Sequence, residues 1–366
     1  MRQAYLIPIE EAAYVFFLVA LLLLIPICVV HYRRFGYLKP ARAGTFYSFL
    51  FFCLCAAFLV TLPLPEITSD FCGIHTLARQ SRLIPFQFVV DIAQANAASL
   101  RHFNLISVLE NPVFLQAFFN FLLLMPLGFY LRYYFRVSAK TALIVAIATT
   151  ALFEITQITG IYGFYPCPYR TFEVDDLILN TTGAMVGYGI TPLLIGWLPN
   201  LQQSHLPATV VSPFRRLVAF VIDWFLANSL ARLISTVLLA AHPLWLDVVI
   251  YSLWFVVVPS VWRGQTLGKW CVKIRLARRS DSPVSSARLC LRYGCLIAIP
   301  VFTEVGFTRL FNRQLEAQGY VDGVSALLLL VLWGIEFALL AGLLLVRSDH
   351  RGLHDLAAQT WHRVVP

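Results

Sequence analysis

The sequence predicts an all-α, polytopic integral membrane protein with about nine transmembrane helices in two domains. Of its 366 residues, 59% are hydrophobic and 13% are charged, and the mean hydropathy is +0.74. Soluble domains carry roughly 25% charged residues, so this chain has too few charges to solvate the surface of a soluble protein. Its apolar residues also lie in long runs, as in helices that cross a bilayer.

Apolar runs of membrane-spanning length recur along the chain. A helix needs about 20 apolar residues to cross the hydrocarbon core. The first run lacks a small-residue cleavage site, so we expect a retained helix rather than a signal peptide. The eighth run is short and contains Arg292, so it either spans the bilayer or lies at its interface. The predicted spans are 12–32, 44–64, 112–132, 139–159, 175–197, 214–240, 243–262, 288–306 and 325–346.

The basic residues predict the orientation of these spans. With the N-terminus outside, most of the 28 lysines and arginines fall in the inner loops, as the positive-inside rule requires. We therefore expect an outside N-terminus and a cytoplasmic C-terminus. The net charge of +9 is then explained by loops that face anionic head groups. No basic patch interleaved with aromatic residues indicates nucleic acid as a partner.

A polar, proline-punctuated segment divides the chain. Residues 199–213 are predicted to be a cytoplasmic linker. They separate a first domain of five spans, residues 1–198, from a second domain of four spans and a cytoplasmic tail, residues 214–366. The long outer loop at about 66–110 contains apolar stretches, so we expect it to form amphipathic or re-entrant helix.

Two of the eight cysteines, Cys72 and Cys167, are predicted to lie outside, where disulfides persist. We hypothesise that they pair. The other six fall in spans or on the inner side, where we expect small buried hydrophobic side chains.

Polar side chains gather near the outer ends of spans three to five and in the outer loops. They are Arg82, Asn120, Glu154, Gln157, Arg170, Asp175, Asp176 and Asn180. One interpretation is architectural, because acids at a helix N-terminus gain from the helix dipole and Gly183-x-x-x-Gly187 permits close helix packing. The other is a polar pocket for a head group, sugar or peptide, because ionisable residues in membrane segments usually mark functional sites.

Four motifs in the first domain together resemble the VanZ-like membrane family. They are R-x-x-P-F at Arg82, N-x-x-x-x-x-P-x-G at Asn120, E-x-x-Q at Glu154, and R-x-x-x-x-D-D-x-x-x-N-x-x-G-x-x-x-G from Arg170. The resemblance covers about residues 20–195. It implies a bacterial cytoplasmic-membrane protein, related to one that lowers susceptibility to teicoplanin-type lipoglycopeptides.

The second domain resembles the RDD family over about residues 210–366. The resemblance rests on Arg215 and Arg216 at the start of the sixth span, Asp223 within it, G-Q-T-L-G-K at 264–269, and H-D-x-x-A-x-T at 354–360. Some RDD proteins are thought to exchange cations for protons, so the resemblance implies transport as an alternative function.

Two acids in the second domain suggest a relay. Asp223 shares a helix face with Arg216, and Glu336 lies at a similar predicted depth, so the three could carry protons or cations. The alternative is that Asp223 pairs with a basic residue of the inner loop or with Arg216, and that Glu336 is protonated. The tail histidines His350, His354 and His362 are predicted to be solvated rather than to bind a metal.

Three functions are therefore considered. The leading one is a non-enzymatic protein of the cell envelope that binds membrane lipids, a lipid-linked envelope precursor or a lipoglycopeptide. The second is a transporter or flippase. The third is an intramembrane enzyme in which Glu154 and Asp176 act as acid and base. The common nucleotide, metal and nucleophile motifs do not occur, so we expect no cofactor and no metal, and we assign no oligomeric state.

Overall fold

The computed structural model describes residues 2–67, 71–74, 81–99, 111–202, 211–239, 244–296, 331 and 349–365. The chain divides into two compact units. The first comprises Met1–Leu23 and Lys39–Gln203, and the second comprises Leu24–Leu38 and Ser204–Pro366. Leu24–Leu38 thus belongs to the second unit, although it falls within the predicted first domain, residues 1–198.

The described helices confirm the fold class. Six are long and apolar enough to cross a membrane, and a shorter apolar stretch spans Trp245–Val261. The six are Leu6–Phe35, Pro40–Thr61, Pro112–Tyr133, Ala139–Ile158, Val174–Trp197 and Pro213–Leu238. Residues 286–296 are helical and include Arg292. The rest of the predicted eighth span and nearly all of the ninth, with Glu336, lie outside the described residues.

The elements of the first unit are numbered along the chain. Two membrane helices, α1 (Arg2–Phe35) and α2 (Pro40–Thr61), precede the short helix α3 (Phe71–Ile74), strand β1 (Ser81–Arg82) and helix α4 (Gln87–Ser99). They are followed by α5 (Pro112–Leu123), α6 (Met125–Tyr133), α7 (Ala139–Ile158), β2 (Phe172–Glu173) and α8 (Val174–Leu194). Helix α4 lies within the loop that was predicted to be amphipathic or re-entrant, and Val89 and Val90 on it are exposed.

Helix α8 is packed against α5, α6 and α7 at the centre of the first unit. Its glycines permit this packing. A Cβ at Gly183 would overlap the carbonyl oxygen of Phe121, and one at Gly187 would overlap that of Met125. The two glycines thus have the architectural role that the sequence suggested, because they let α8 contact α5 and α6 directly.

The second unit follows in the same numbering. It contains α9 (Pro213–Ile234), α10 (Leu244–Ser252), α11 (Val258–Val261), α12 (Leu267–Cys271), β3 (Ile274–Ala277), helix 286–296 as α13, α14 (Leu353–Ala357) and β4 (Trp361–Val364). Strands β3 and β4 pair antiparallel, with Ile274 opposite Val364. One core cluster joins Cys28 and Tyr32 of helix α1 to Val218 of α9 and to Val272 and Ile274.

Candidate functional site

Asp175 holds the loop that begins at Arg82. Its Oδ1 accepts a hydrogen bond from the backbone N–H of Phe86 at 2.5 Å, and its Oδ2 accepts one from the N–H of Phe88 at 2.9 Å. Phe86 has a positive φ of 62°, an uncommon conformation for a side chain of this size. A carboxylate at the first turn of α8 therefore fixes a loop 87 residues or more away in sequence.

Arg82 lies opposite Glu173. Strands β1 and β2 pair parallel, with Arg82 in register with Glu173. The Arg82 Nη1 is 3.7 Å from Glu173 Oε1 and 3.4 Å from Asp91 Oδ2. Burial raises the pKa of the Glu173 carboxyl above its usual range, and the nearby Arg82 guanidinium opposes that shift.

These elements enclose a cavity of about 620 Å³, which we call the polar cavity. It lies at the end of the first unit where α5 and α8 begin. Its lining combines one arginine with several acids and glutamines. The lining residues are Arg82, Gln87, Phe88, Asp91, Gln94, Val113, Gln116, Ala117, Thr171, Glu173, Asp175, Asp176 and Leu179. Such a surface can accept hydrogen bonds from hydroxyl, amide and amine groups.

Asp176, one of the predicted site residues, lines the polar cavity and also contacts the membrane helix α5. Its Oδ1 accepts a hydrogen bond from the Asn120 side chain of α5. Its backbone carbonyl accepts one from Asn180 Nδ2 at 2.8 Å. Among the described residues, the buried Oδ1 of Asn180 has no hydrogen-bond partner. Asn120 and Asn180 thus support Asp176, although neither lines the cavity.

Three other predicted residues have structural contacts instead and do not line the polar cavity. Arg170 Nη2 donates to the carbonyl of Leu62 at 2.9 Å, and Gln157 Nε2 donates to the carbonyl of Val60 at 3.0 Å. Glu154 is 2% exposed, and its Oε2 accepts from the backbone N–H of Glu173 at 3.2 Å. Arg170 and Gln157 therefore anchor the end of α2, while Glu154 supports β2.

The sequence reasoning missed the loop residue Thr171 and four polar residues on helices among those that line the cavity. Gln87, Asp91 and Gln94 follow the spacing of one face of α4, and Gln116 precedes Asn120 by one helical turn. A periodicity check could have found them. The helical period is hard to recognise there, because apolar and polar stretches alternate irregularly in the loop that contains α4.

Cys72 and Cys167 are joined in a disulfide, with their Cα atoms 5.5 Å apart. The bond connects helix α3 to the segment before β2. Beside it, Phe71, Tyr165 and Tyr169 form a small buried aromatic cluster. These two segments of the first unit are therefore connected both covalently and by packing.

In the second unit, Asp223 is bound to residues 266–269 of the predicted inner loop and to Trp254 rather than to Arg216. Its Oδ1 accepts hydrogen bonds from the N–H of Gly268 at 2.8 Å and from Trp254 Nε1 at 3.0 Å. Its Oδ2 accepts from Thr266 Oγ1 at 2.5 Å and lies 3.9 Å from Lys269 Nζ. These contacts match the alternative to the relay, in which Asp223 pairs with a basic residue of that loop.

Arg216 instead contacts Asp355, which is fully buried. The Arg216 Nη1 is 3.2 Å from Asp355 Oδ2, while Arg292 binds the other carboxylate oxygen. The N–H of Gly352 also donates to Oδ2 at 3.2 Å. The motif arginine at the start of α9 and the motif aspartate of the tail thus form one buried ionic network.

His354 corrects the prediction that the tail histidines are solvated. His354 is only 6% exposed, and its Nε2 atom lies 3.5 Å from Asp355 Oδ2. Burial, together with the charges of Arg292 and Arg216, lowers the pKa of His354 to about 3. The imidazole is therefore neutral at pH 7. The prediction failed because α14 folds back onto α9 and α13, which its own sequence does not reveal.

Family comparisons agree with the motifs. Residues 49–195 match the model of the VanZ/LLP1 family, and residues 210–359 match the model of the RDD family. No curated protein and no solved structure matched the chain. Both matches fall where the motifs predicted them, and they confirm the two resemblances in their order along the sequence. The chain is a multi-pass membrane protein in which a VanZ-like domain is followed by an RDD family domain.

Proposed function

We propose that this protein is a non-enzymatic binding protein of the bacterial cytoplasmic membrane. Its polar cavity would face the outer leaflet and receive the head group of a lipid, a lipid-linked envelope precursor or a lipoglycopeptide. The observation that carries the proposal is the cavity itself, in which Arg82 and several acids line one space at the ends of membrane helices. The positive-inside distribution supports an outside N-terminus and a cytoplasmic C-terminus.

The charges of the lining favour particular ligand groups. Asp91, Glu173, Asp175 and Asp176 outnumber Arg82, so the cavity favours hydroxyl and amine groups. Arg82 can pair with one carboxylate or phosphate of the same ligand. This combination fits sugars and peptides that carry amines and few anionic groups.

Apolar side chains beside the polar cavity fit a lipidated ligand. Leu83, Ile84 and Phe86 are exposed on the loop that Asp175 holds. Exposed apolar groups of this kind usually mark an interaction surface. An acyl chain could lie along them while an amine-bearing sugar or peptide end of the ligand occupies the cavity, and this arrangement fits a lipoglycopeptide better than an unlipidated glycopeptide.

An antibiotic tolerance assay tests the proposal. Expressed in a sensitive bacterial host, the protein should raise the teicoplanin concentration needed to stop growth. Asp176→Asn and Arg82→Gln should each abolish that increase at unchanged protein level, because each removes a charge from the polar cavity. Glu66→Gln is the matched control, since Glu66 is exposed in the segment after α2, on the predicted outer side, and does not line the cavity.

Purified protein separates binding from indirect effects on growth. Binding of teicoplanin is measured in detergent by isothermal titration calorimetry. The wild type and the Glu66→Gln variant should bind it equally well. The Asp176→Asn variant should bind it at least about 10-fold more weakly, because one charged hydrogen bond is lost. The lipoglycopeptide assignment fails if tolerance is unchanged by expression, or if both cavity variants retain full tolerance.

A further inference from the structure

We propose that the second unit contains a separate binding site for a phosphate-bearing ligand. The site is a recess of about 500 Å³, which we call the basic recess. It lies between the turn after β3, the beginning of helix α13 and the segment before β4. The lining residues are Arg278, Arg279, Ser280, Arg288, Gln359 and Trp361.

The lining carries three positive charges and no acid. The acid of the turn, Asp281, is engaged elsewhere. Its Oδ2 accepts from Arg275 Nη2 at 2.5 Å, and its Oδ1 is 4.0 Å from Arg363 Nε. Neither of these arginines lines the basic recess. Within the described part of the chain, Arg278 and Arg279 form no ion pair, so their charge is not neutralised by a carboxylate there.

The hydrogen-bonding groups also suit an anion. Arg288 Nη1 donates to Gln359 Oε1 at 3.0 Å. This contact uses the carbonyl end of the Gln359 amide and leaves its NH₂ group as a donor. Together with the Ser280 hydroxyl and the guanidinium groups, the basic recess presents mainly donors. Guanidinium groups bind phosphate oxygens in pairs, which makes phosphate the best-matched anion.

The position of the basic recess gives two sources for such a ligand. Helix α13 begins the predicted eighth span, and the positive-inside rule predicts that its first residues face the cytoplasm. A phosphate could therefore belong to the head group of an anionic lipid or to a soluble compound such as a diphosphate. The recess volume of about 500 Å³ can hold either group.

Direct binding measurements test the assignment. Purified full-length protein is titrated with inorganic pyrophosphate in detergent, and in a second arm it is reconstituted into vesicles of phosphatidylcholine with or without phosphatidylglycerol, with retained lipid counted by mass spectrometry. We expect Arg278→Gln combined with Arg279→Gln to weaken binding at least about 10-fold, because two charged contacts are lost. Higher salt should weaken wild-type binding as well.

Arg136→Gln combined with Lys140→Gln is the matched control. Both residues are exposed and belong to the first unit, and the pair removes the same charge from the predicted inner side. Binding of pyrophosphate alone identifies a soluble phosphate compound, whereas selective retention of phosphatidylglycerol identifies a lipid. The proposal is overturned if neither ligand binds, or if the control weakens binding as much as the recess variant. Equal thermal unfolding temperatures of both variants establish that they are folded.

Discussion

At the scale of single residues, two neighbouring acids have different contacts. Asp175 accepts two backbone N–H groups and fixes the Arg82 loop, while Asp176 is bound by Asn120. In the sequence, the adjacent acids Asp175 and Asp176 indicate negative charge at the start of a helix, but they do not reveal that their contacts differ. The difference arises because successive helical residues point about 100° apart, so one side chain meets the loop and the other meets α5.

The neutral His354 gives a prediction about pH. Its pKa is about 3 in the folded protein, below the ordinary value of 6.5. The unfolded chain therefore binds the proton more readily between these values, so stability falls as the pH decreases through this window. We expect the free energy of unfolding to be about 2 kcal/mol lower at pH 5 than at pH 7 because of His354 alone.

Chemical denaturation at pH 7 and pH 5 measures this loss. The His354→Gln variant cannot titrate at this position and should lose less stability between the two pH values than the wild type. An identical pH dependence of both proteins would show that the imidazole is not the group responsible.

At the scale of elements, helix α8 depends on glycines at its contact with α5 and α6. Gly187→Ala should destabilise the first unit, because the added Cβ overlaps the backbone carbonyl of Met125 and the helices must separate. Gly189→Ala on the same helix is the matched control, since a Cβ there meets nothing within 4 Å. It should leave stability unchanged or raise it slightly, because alanine favours helix.

Thermal unfolding in detergent distinguishes the two glycine variants. A lower unfolding temperature of Gly187→Ala than of Gly189→Ala is expected. Equal temperatures would contradict the close packing of α8. Loss of teicoplanin tolerance in Gly187→Ala alone would also connect this packing to the polar cavity at the start of the same helix.

Much of the fold and part of the candidate site could be predicted from the sequence. The membrane helices were identifiable because their apolar length is imposed by the bilayer. Arg82, Asp175 and Asp176 were identifiable because charges near apolar spans are costly. The role of Arg170 was not, since its partner is the backbone carbonyl of Leu62, and backbone acceptors have no sequence signature.

At the scale of the whole molecule, the N-terminal helix contributes to both units. Tyr32 of α1 is 3% exposed in the core of the second unit, and the Arg215 guanidinium lies 5.0 Å from its ring centroid. The boundary between domains could not be read from composition, because the division at Leu23 and Leu24 falls inside the continuous apolar helix α1. A substitution near the N-terminus should therefore affect the RDD domain.

Tyr32→Ala is expected to destabilise the second unit by about 3 kcal/mol, as large-to-small changes in packed cores do. Tyr14→Ala on the same helix is the control, since Tyr14 is 73% exposed. Limited proteolysis with mass spectrometry of the fragments should show faster cleavage within 204–366 for Tyr32→Ala only. Equal cleavage of both variants would contradict the assignment of this segment to the second unit.

The shared helix has a consequence for biosynthesis. The carbonyl of Gly36 accepts a hydrogen bond from Arg215, a residue 179 positions later. At a translation rate of roughly 5–20 residues per second, the partner is made roughly 10–35 s after Gly36. During this interval the end of α1 lacks its neighbours in the second unit. Helix α1 is thus made before α2 to α8, but it completes its packing only once α9 has been made.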